Sequence, residues 1–288
     1  MVTLKKKFRN IYVSLSGGDK NFICGDSKRK IKKNRVNLHY WRPTMFSHNL
    51  GDYLSKLIVE KLLDKKGIDI NRKTNETRHL LAVGSVLGFS TINATVWGSG
   101  IISPIHYKIQ LQQSQYDIRA LRGPETKRIL ESMGHICPDI MGDPAILLPL
   151  FYHPQQAIKN KPFSIIHWMG SRNRNINNKY INKIVDIETK KWRNFIDEIL
   201  SSEFVISSSL HGIIVAEAYG VPAILLKPEN YEKGGNFKYD DYYYSTNRNS
   251  YKIASTIEEA LKISLDIPPK FDMMREKLLA SFPYDLWS

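Results

Sequence analysis

The sequence predicts an α/β protein made of two successive parallel-sheet units. From Val36 onward, short apolar runs alternate with amphipathic stretches, which is the pattern of strands and crossover helices. Two of the apolar runs lead directly into turns that contain glycine. The pattern begins again after a stretch of low periodicity between Pro149 and Pro162, so we expect a second unit to begin there.

The first unit should occupy residues 36–155. Its pattern predicts the following order: a strand at 36–40, a turn at 49–52, a helix at 53–64, strands at 79–83, 95–97 and 117–121, and a helix from Pro124 to Met133. The turns Gly84-Ser85 and Gly98-Ser99-Gly100 each follow a predicted strand. Pro124 suits the first turn of a helix, and Gly134 suits its end.

The second unit should occupy residues 156–288. The pattern predicts strands at 163–168, 204–207 and 221–226, with helices that include 194–200 and 210–219. Residues 171–180 are polar and rich in asparagine, which indicates a loop. We expect two Rossmann-like domains that face each other across a cleft, an arrangement like that of glycosyltransferase-B enzymes.

The composition is that of a soluble globular protein, since 42% of the 288 residues are hydrophobic and 24% are charged. No apolar run approaches the ~20 residues that a membrane span needs, and no signal-peptide pattern opens the sequence. Cys24 and Cys137 form no C-x-x-C pair, which fits a reducing compartment. We therefore expect the protein to be cytoplasmic.

Residues 1–35 form a basic arm. They contain eleven Lys and Arg residues against two aspartates, so that +9 of the formal net charge of +14 lies there. A solvated tail is the first interpretation. The second is peripheral contact with the anionic inner leaflet of the membrane, where clustered Lys and Arg contribute about 1 kcal/mol each. Nucleic-acid binding is not expected, since the remaining chain is nearly balanced in charge.

The segment Ser207-Ser208-Ser209-Leu210-His211-Gly212 gives the strongest local indication of a site. A strand ends there and a helix begins, so backbone N–H groups and the helix dipole would favour a phosphate or carboxylate. His211 would face the crevice at the strand ends and could exchange a proton near neutral pH. The alternative is that a serine caps the helix and His211 packs in its first turn.

Arg122 also follows a predicted strand. Its guanidinium could bind a carboxylate or phosphate through two parallel hydrogen bonds, or it could pair with Glu125 at the surface. Asp52 and Asp143 lie in predicted tight turns, where aspartate caps a turn as often as it catalyses. Both interpretations stay open for these three residues.

Several sequence patterns that would indicate a nucleotide cofactor or a metal site are missing. The glycine turns do not complete a G-x-G-x-x-G or Walker pattern, so we expect no nucleotide cofactor and interpret them as close-approach turns. Isolated histidines such as His167 lack metal-ligand spacing and are expected to be satisfied polar residues, and no metal is predicted. The run Tyr239–Tyr244, which includes Asp240 and Asp241, could stack on sugar rings or form a core-facing edge strand.

In their order along the chain, these motifs resemble those of the polysaccharide pyruvyl transferases. The resemblance covers roughly residues 36–245 and consists of Asn49-x-Gly51-Asp52, Gly84-Ser85, Trp97-Gly98-Ser99-Gly100, Arg122-Gly123-Pro124-x-Thr126, Gly142-Asp143-Pro144-Ala145, Ser208-Ser209-Leu210-His211-Gly212 with Ala216-Glu217-Ala218-x-Gly220-Val221-Pro222, and Phe237-Lys238-x-Asp240. It implies a glycosyltransferase-B-like fold and a transferase that uses phosphoenolpyruvate as donor, without a further cofactor. The acceptor would be a glycan or a lipid-linked saccharide of an exopolysaccharide or capsule.

The motifs and the resemblance together predict the site. The predicted catalytic residues are His211, Asp52 and Asp143, and the predicted substrate-binding residues are Arg122, Ser208, Ser209, Gly98, Ser99, Gly100, Arg42, Asn49, Arg172 and Lys238. Some relatives have an arginine two residues before the histidine, where this chain has Ser209. Another cation must then hold the donor, and the candidates are Arg42, Arg172 or Arg174, and Lys238. The donor would lie on the carboxyl-terminal domain and the acceptor on the amino-terminal domain.

Two other functions stay open at this point. A nucleotide-sugar glycosyltransferase of the same architecture would also have a glycine-rich cleft, because a fold does not determine a function. A non-catalytic scaffold for polysaccharide assembly, tethered by the basic arm, would tolerate the loss of His211 and Arg122.

Overall fold

The computed structural model describes residues 31–41, 49–88, 93–103, 111–112, 114–154, 159–167, 178–227 and 235–288. Most of the basic arm lies outside the described residues, as do Arg42, Arg172 and Arg174.

Within the described residues, eight strands form two four-stranded sheets, and each strand is parallel to its neighbours. The first sheet has the order β1 (Val36–His39), β2 (Arg78–Leu81), β3 (Asn93–Trp97) and β4 (Gln115–Ala120). The second has the order β5 (Lys161–Ile166), β6 (Ser202–Ser207), β7 (Ala223–Leu226) and β8 (Ile253–Ala254). The predicted α/β class with two parallel sheets is confirmed.

Helices connect and cover these strands. They are α1 (Leu50–Asp64), α2 (Pro124–Ser132), α3 (Trp192–Leu200), α4 (Leu210–Ala218), α5 (Phe237–Ser245), α6 (Ile257–Ala260) and α7 (Asp272–Ala280). In the described parts of the chain, three 3₁₀ helices span Pro144–Leu150, Asn178–Lys183 and Tyr284–Trp287. Because each parallel strand needs a crossover to the next, the amino ends of α1, α4 and α5 follow the carboxyl ends of β1, β6 and β7.

Helix α1 begins three residues earlier than the sequence predicts. Asn49 caps it, because its side-chain oxygen accepts a hydrogen bond from the Gly51 N–H at 3.1 Å. The predicted turn at 49–52 is therefore the start of the helix, and Asp52 lies in its first turn. An Asx turn and a helix cap use the same residue types, so local sequence does not separate them.

The two sheets share one apolar core. Buried residues from α1, from the 3₁₀ helix Pro144–Leu150, from α4 and from α7 belong to the same cluster, as Leu54, Ile146, Ile214 and Leu278 illustrate. Two smaller clusters cover other faces of the first and second sheets. The 3₁₀ helix lies at the edge of the predicted boundary region, yet most of its residues are buried between the two halves.

The last helices pack on the first sheet. The indole N–H of Trp97 donates to the Leu278 carbonyl at 3.0 Å, and Arg119 pairs with Asp285 at 3.0 Å. The indole N–H of Trp287 donates to the Ile70 carbonyl at 3.2 Å. The predicted second domain, 156–288, therefore includes a segment that packs on the first unit, which local periodicity does not reveal.

The tyrosine run at 239–244 belongs to helix α5, so the predicted edge strand is wrong, although its predicted core-facing character is confirmed. Tyr239, Tyr242 and Tyr243 are buried, so they offer no open stacking surface for a sugar. The Tyr242 hydroxyl donates to Glu217 at 2.6 Å, and the Tyr243 ring stacks on Tyr251 with centroids 4.0 Å apart. Tertiary packing has overridden the strand preference of tyrosine.

In the part of the chain that is described, no helix combines the length and the apolar character needed to cross a bilayer.

Candidate functional site

Four predicted site residues lie at the amino ends of four different helical elements. Asp52 is in the first turn of α1, Asp143 caps the 3₁₀ helix Pro144–Leu150, His211 is the second residue of α4, and Lys238 is the second residue of α5. Electrostatic coupling links the Asp52 carboxylate to His211, Lys238 and Asp143. The structure therefore brings together groups from both halves of the chain, and the amino ends of the helices favour an anion there.

His211 faces Asp143. Its Nε2 lies 3.6 Å from the Asp143 Oδ2, within ion-pair range but too long for a good hydrogen bond. The other oxygen of Asp143 accepts a hydrogen bond from the Ala145 N–H at 2.9 Å. Asp143 is thus a helix cap, as one interpretation of the sequence had it, and also the partner of His211, while its catalytic role stays a prediction.

The facing atoms of this pair have unused hydrogen-bonding capacity. The Asp143 Oδ2 and the His211 Nε2 are both buried and lack a hydrogen-bond partner. A buried polar atom without a partner costs about 1–3 kcal/mol, so it is rare in stable proteins and often marks a functional site. A small movement of the imidazole that brought a protonated Nε2 within hydrogen-bonding distance of the Oδ2 would satisfy both atoms.

Gly51 packs against the opposite edge of the imidazole. A Cβ atom at Gly51 would lie 2.3 Å from the His211 Nδ1 and 2.6 Å from its Cγ. No side chain fits in that position unless the ring moves. The first turns of α1 and α4 are therefore in direct contact, and this contact positions the histidine.

Asp52 is buried, and its environment changes its acidity. Burial raises the pKa of Asp52 to about 6, while the positive charge of His211 and Lys238 opposes the rise and Asp143 adds to it. The Asn49 side-chain amide donates to the Asp52 Oδ2 at 2.7 Å. A carboxyl group with this pKa can exchange a proton close to neutral pH.

Asn49 is already occupied on both ends of its amide. Its oxygen caps α1 and its nitrogen holds Asp52. This arrangement favours a role in orienting Asp52 over the direct substrate contact that we predicted.

Ser207, Ser208 and Ser209, which precede His211, are buried, and they differ in the hydrogen bonds that they make. The Ser207 hydroxyl donates to the Ser209 carbonyl at 2.8 Å and accepts from the Ser209 N–H at 3.0 Å. The Ser208 carbonyl accepts from the Tyr239 hydroxyl at 3.2 Å. Ser209 stands at the cap position of α4 but makes no capping hydrogen bond through its side chain, so the predicted capping does not occur. Substrate contact by Ser208 and Ser209 stays a prediction.

Arg122 has no exposed surface. Its Nε donates to the Asp241 Oδ2 at 2.9 Å, one terminal nitrogen to the Ser85 hydroxyl at 2.5 Å, and the other to the Ile101 carbonyl at 2.7 Å. It does not pair with Glu125, which pairs with Arg128 instead. Direct contact between Arg122 and a donor is therefore disfavoured, because all three guanidinium nitrogens already bind the protein.

The turn Gly98-Ser99-Gly100 is also buried, and its contacts are with the protein. A Cβ at Gly98, where φ is +80°, would lie 2.3 Å from the Pro144 ring, and a Cβ at Gly100 would lie 2.5 Å from the Arg122 guanidinium carbon. The Ser99 hydroxyl donates to the Gly84 carbonyl at 2.8 Å. These contacts agree with the close-approach interpretation and disfavour the predicted substrate contacts. The turn instead supports the elements that carry Asp143 and Arg122.

One group was missed by sequence reasoning. His167 follows β5, the neighbour of β6, and its Nε2 is buried without a hydrogen-bond partner. Burial lowers the pKa of His167. The expectation of a satisfied polar histidine is therefore wrong. The position of His167 at a strand end was the only signal in the sequence that could have indicated it.

Comparison with known proteins places the chain in a family. The family model described as polysaccharide pyruvyl transferase matches residues 49–230. The uncharacterized protein L143 of Acanthamoeba polyphaga mimivirus is 27% identical over 240 residues, which cover 78% of this chain and 80% of that protein. A crystal structure of a functionally uncharacterized Klebsiella pneumoniae protein matches with a TM-score of 0.50 and 15% identity, over 89% of this chain and all of the other, and shows similarity of fold alone. Because the matched region contains Asp52, Asp143 and His211 and exceeds half of the sequence, this chain belongs to the polysaccharide pyruvyl transferase family.

Proposed function

We propose that the chain transfers a pyruvyl group from phosphoenolpyruvate to two hydroxyls of one sugar, which forms a ketal and releases phosphate. Family membership supports pyruvyl transfer to a polysaccharide. The observation that carries the finer proposal is the buried cluster of His211, Asp143 and Asp52 at converging helix amino ends. The cluster combines proton-exchanging groups with an anion-favouring environment.

The proposed reaction needs an acid and a base. A proton added to the methylene carbon of phosphoenolpyruvate makes C2 electrophilic, and the first sugar hydroxyl adds to C2 and loses its proton. The C2–O bond to phosphate then breaks, and the second hydroxyl adds to C2 and closes the ring. Of the two protons that the sugar hydroxyls lose, one replaces the proton that was added to the methylene carbon and the other is taken up by the released phosphate. The reaction is therefore balanced.

The roles follow from the contacts. His211 delivers the proton to the donor, and Asp143, 3.6 Å from the Nε2, orients the imidazole. Asp52, whose pKa is raised to about 6, accepts the proton of the attacking hydroxyl. Lys238 and the amino ends of α1 and α4 hold the negative charge of the donor. Lys238 takes the place of the arginine that some relatives have at the position of Ser209.

The proposal also covers the acceptor, the cellular location and a membrane contact of the protein. The acceptor is a glycan or a lipid-linked saccharide, and the reaction takes place in the cytoplasm. The basic arm contacts the anionic inner leaflet of the membrane, which would bring the enzyme to a lipid-linked acceptor.

Donor specificity tests the proposal. The protein is incubated with phosphoenolpyruvate and a panel of α-linked and β-linked hexosides, while phosphate release and the mass of the sugar are followed. We expect phosphate release that depends on the acceptor, together with a pyruvyl mass gain on the sugar. His211→Asn, prepared in parallel and shown to be folded, is the control for contaminating phosphatase. Sugar transfer from a nucleotide-sugar donor, with no use of phosphoenolpyruvate, would support the glycosyltransferase alternative and contradict the proposal.

A further inference from the structure

A buried ion pair joins the end of the first sheet to a helix of the second half. Arg122 and Asp241 are both without exposed surface, and their side chains are 2.9 Å apart. Arg122 follows β4, whereas Asp241 lies in α5, 119 residues later. A buried charge pair is costly to desolvate and is strongly destabilising to break, so this contact fixes the two elements relative to each other.

The neighbours of Arg122 bind the same carboxylate. The Thr126 N–H donates to one oxygen of Asp241 at 2.7 Å, and the Thr126 hydroxyl donates to the other at 2.7 Å. A Cβ at Gly123 would lie 1.8 Å from the Asp241 backbone oxygen, so the two backbones touch. Arg122, Gly123 and Thr126 together form a socket for Asp241, here called the Asp241 socket.

The socket holds the helix that carries Lys238. Lys238 precedes Asp241 by three residues, which places both on the same side of α5, one turn apart. Lys238 is also coupled electrostatically to Asp52 in the first half. A helix held at Asp241 therefore presents Lys238 to Asp52 at a set distance.

We propose that the Asp241 socket is a positioning device that sets Lys238 against Asp52, so that Arg122 and Thr126 act on the donor through α5 without touching it. The proposal rests on the proposed function only in assigning Lys238 to the donor site. It differs from the expectation that Arg122 binds the donor, and it gives Thr126 and Asp241 roles that the motif spacing does not indicate.

The test uses Thr126→Val, which removes the hydroxyl and keeps the backbone N–H bond to Asp241. Phosphoenolpyruvate is the probe, and its Kd is measured by titration calorimetry in the wild type, Thr126→Val, Lys238→Met and the double variant. We expect Thr126→Val to raise the Kd about tenfold in the wild type. In the Lys238→Met background the same substitution should raise the Kd less than about twofold, because the effects of residues that act through one another are not additive. Additive effects of Thr126→Val and Lys238→Met would overturn the proposal.

A control separates positioning from loss of stability. Glu217→Gln weakens a partly buried ion pair, with Arg248 at 2.7 Å, and also the contact of Glu217 with Tyr242 of α5. We expect it to lower the thermal midpoint as Thr126→Val does, with the Kd for phosphoenolpyruvate unchanged. An equal increase of the Kd in Glu217→Gln would show that general loosening of α5 is sufficient, and would refute the socket as a specific device.

A second measurement does not involve the donor. Lys238 lowers the pKa of Asp52, so a displaced Lys238 should let that pKa rise. Carbon NMR of the Asp52 carboxyl should show a higher pKa in Thr126→Val and in Lys238→Met, with no further rise in the double variant. If Thr126→Val leaves this pKa unchanged, the socket does not position Lys238. If the pKa rises but donor binding stays constant, the positioning is supported and the donor role of Lys238 fails instead.

Discussion

Replacing Gly51 with alanine should displace the imidazole of His211. The added Cβ would lie 2.3 Å from the Nδ1, 2.6 Å from the Cγ and 2.8 Å from the Cβ of His211. Non-bonded carbon contacts are most favourable at about 3.5–4.0 Å, so the ring or the helix must move by roughly 1 Å. A displacement of that size at a catalytic group can cost on the order of 10²-fold in rate.

The effect on stability should be much smaller than the effect on rate. Overpacking costs about 1–3 kcal/mol, whereas alanine is better than glycine inside a helix by about 1 kcal/mol. The two contributions have opposite signs, so we expect a net loss of about 2 kcal/mol or less in the free energy of unfolding. A large fall in turnover with little loss of stability is the expected signature.

The assay is phosphate release at saturating phosphoenolpyruvate, combined with urea unfolding of the same preparation. The matched control is Gly51→Ala in the His211→Asn background, where the imidazole is absent and the further loss of turnover should be under about threefold. Normal turnover in a folded Gly51→Ala variant would contradict this prediction, because it would show that the position of the imidazole against Gly51 is not needed for catalysis.

Three further outcomes are expected. His211→Asn should lower turnover on the order of 10²-fold or more, because asparagine cannot transfer the proton. The affinity for phosphoenolpyruvate should fall less than turnover. Equal losses in turnover and affinity would show that His211 binds the donor and does not transfer a proton. Because the native pKa of Asp52, about 6, exceeds its ordinary value of 3.8, the folded state holds that proton more tightly than the unfolded state. Wild-type stability, measured against Asp52→Asn, should therefore fall as pH rises from about 4 to 6, by up to about 3 kcal/mol, and a constant difference between the two urea-unfolding curves would contradict the raised pKa. Deletion of residues 1–34 should leave turnover on a soluble sugar intact and weaken binding to anionic vesicles at low salt, whereas a folded but inactive deletion variant would place the arm in the site.

Local pattern was enough to predict seven of the eight strands in the described residues, but not β8, and to single out residues that the structure brings together in the candidate site. His211 was singled out because a predicted strand ends and a helix begins there, and Asp143 because it lies in a motif of the family, whereas the contact between them joins the two halves of the chain and could not be predicted. For Arg122, the sequence predicted the position but not the partner. Its position after a strand was predicted correctly, but its partner Asp241 is 119 residues away. Sequence spacing cannot distinguish an arginine that binds a ligand from one that binds a distant carboxylate.

Gly51 is a second residue whose long-range contact could not be predicted from the sequence. The motif around it was recognised, yet the reason for the glycine is a ring from a helix in the other half of the chain. In α5 the difficulty was different, because a run of tyrosines favours a strand locally, and only burial in the shared core and packing against α2 make it a helix.

The packing of α7 on the first sheet also governs how the protein can fold during its synthesis. The Trp97 indole bonds to a carbonyl 181 residues further along the chain. At about 5–20 residues per second, a ribosome needs roughly 10 to 40 seconds to make that interval, and during this time the apolar surface around Trp97 lacks the cover that α7 gives it. Nascent chains should therefore be vulnerable to aggregation at this surface. A circular permutant that places residues 272–287 ahead of β1 should shorten the exposure and increase the soluble yield.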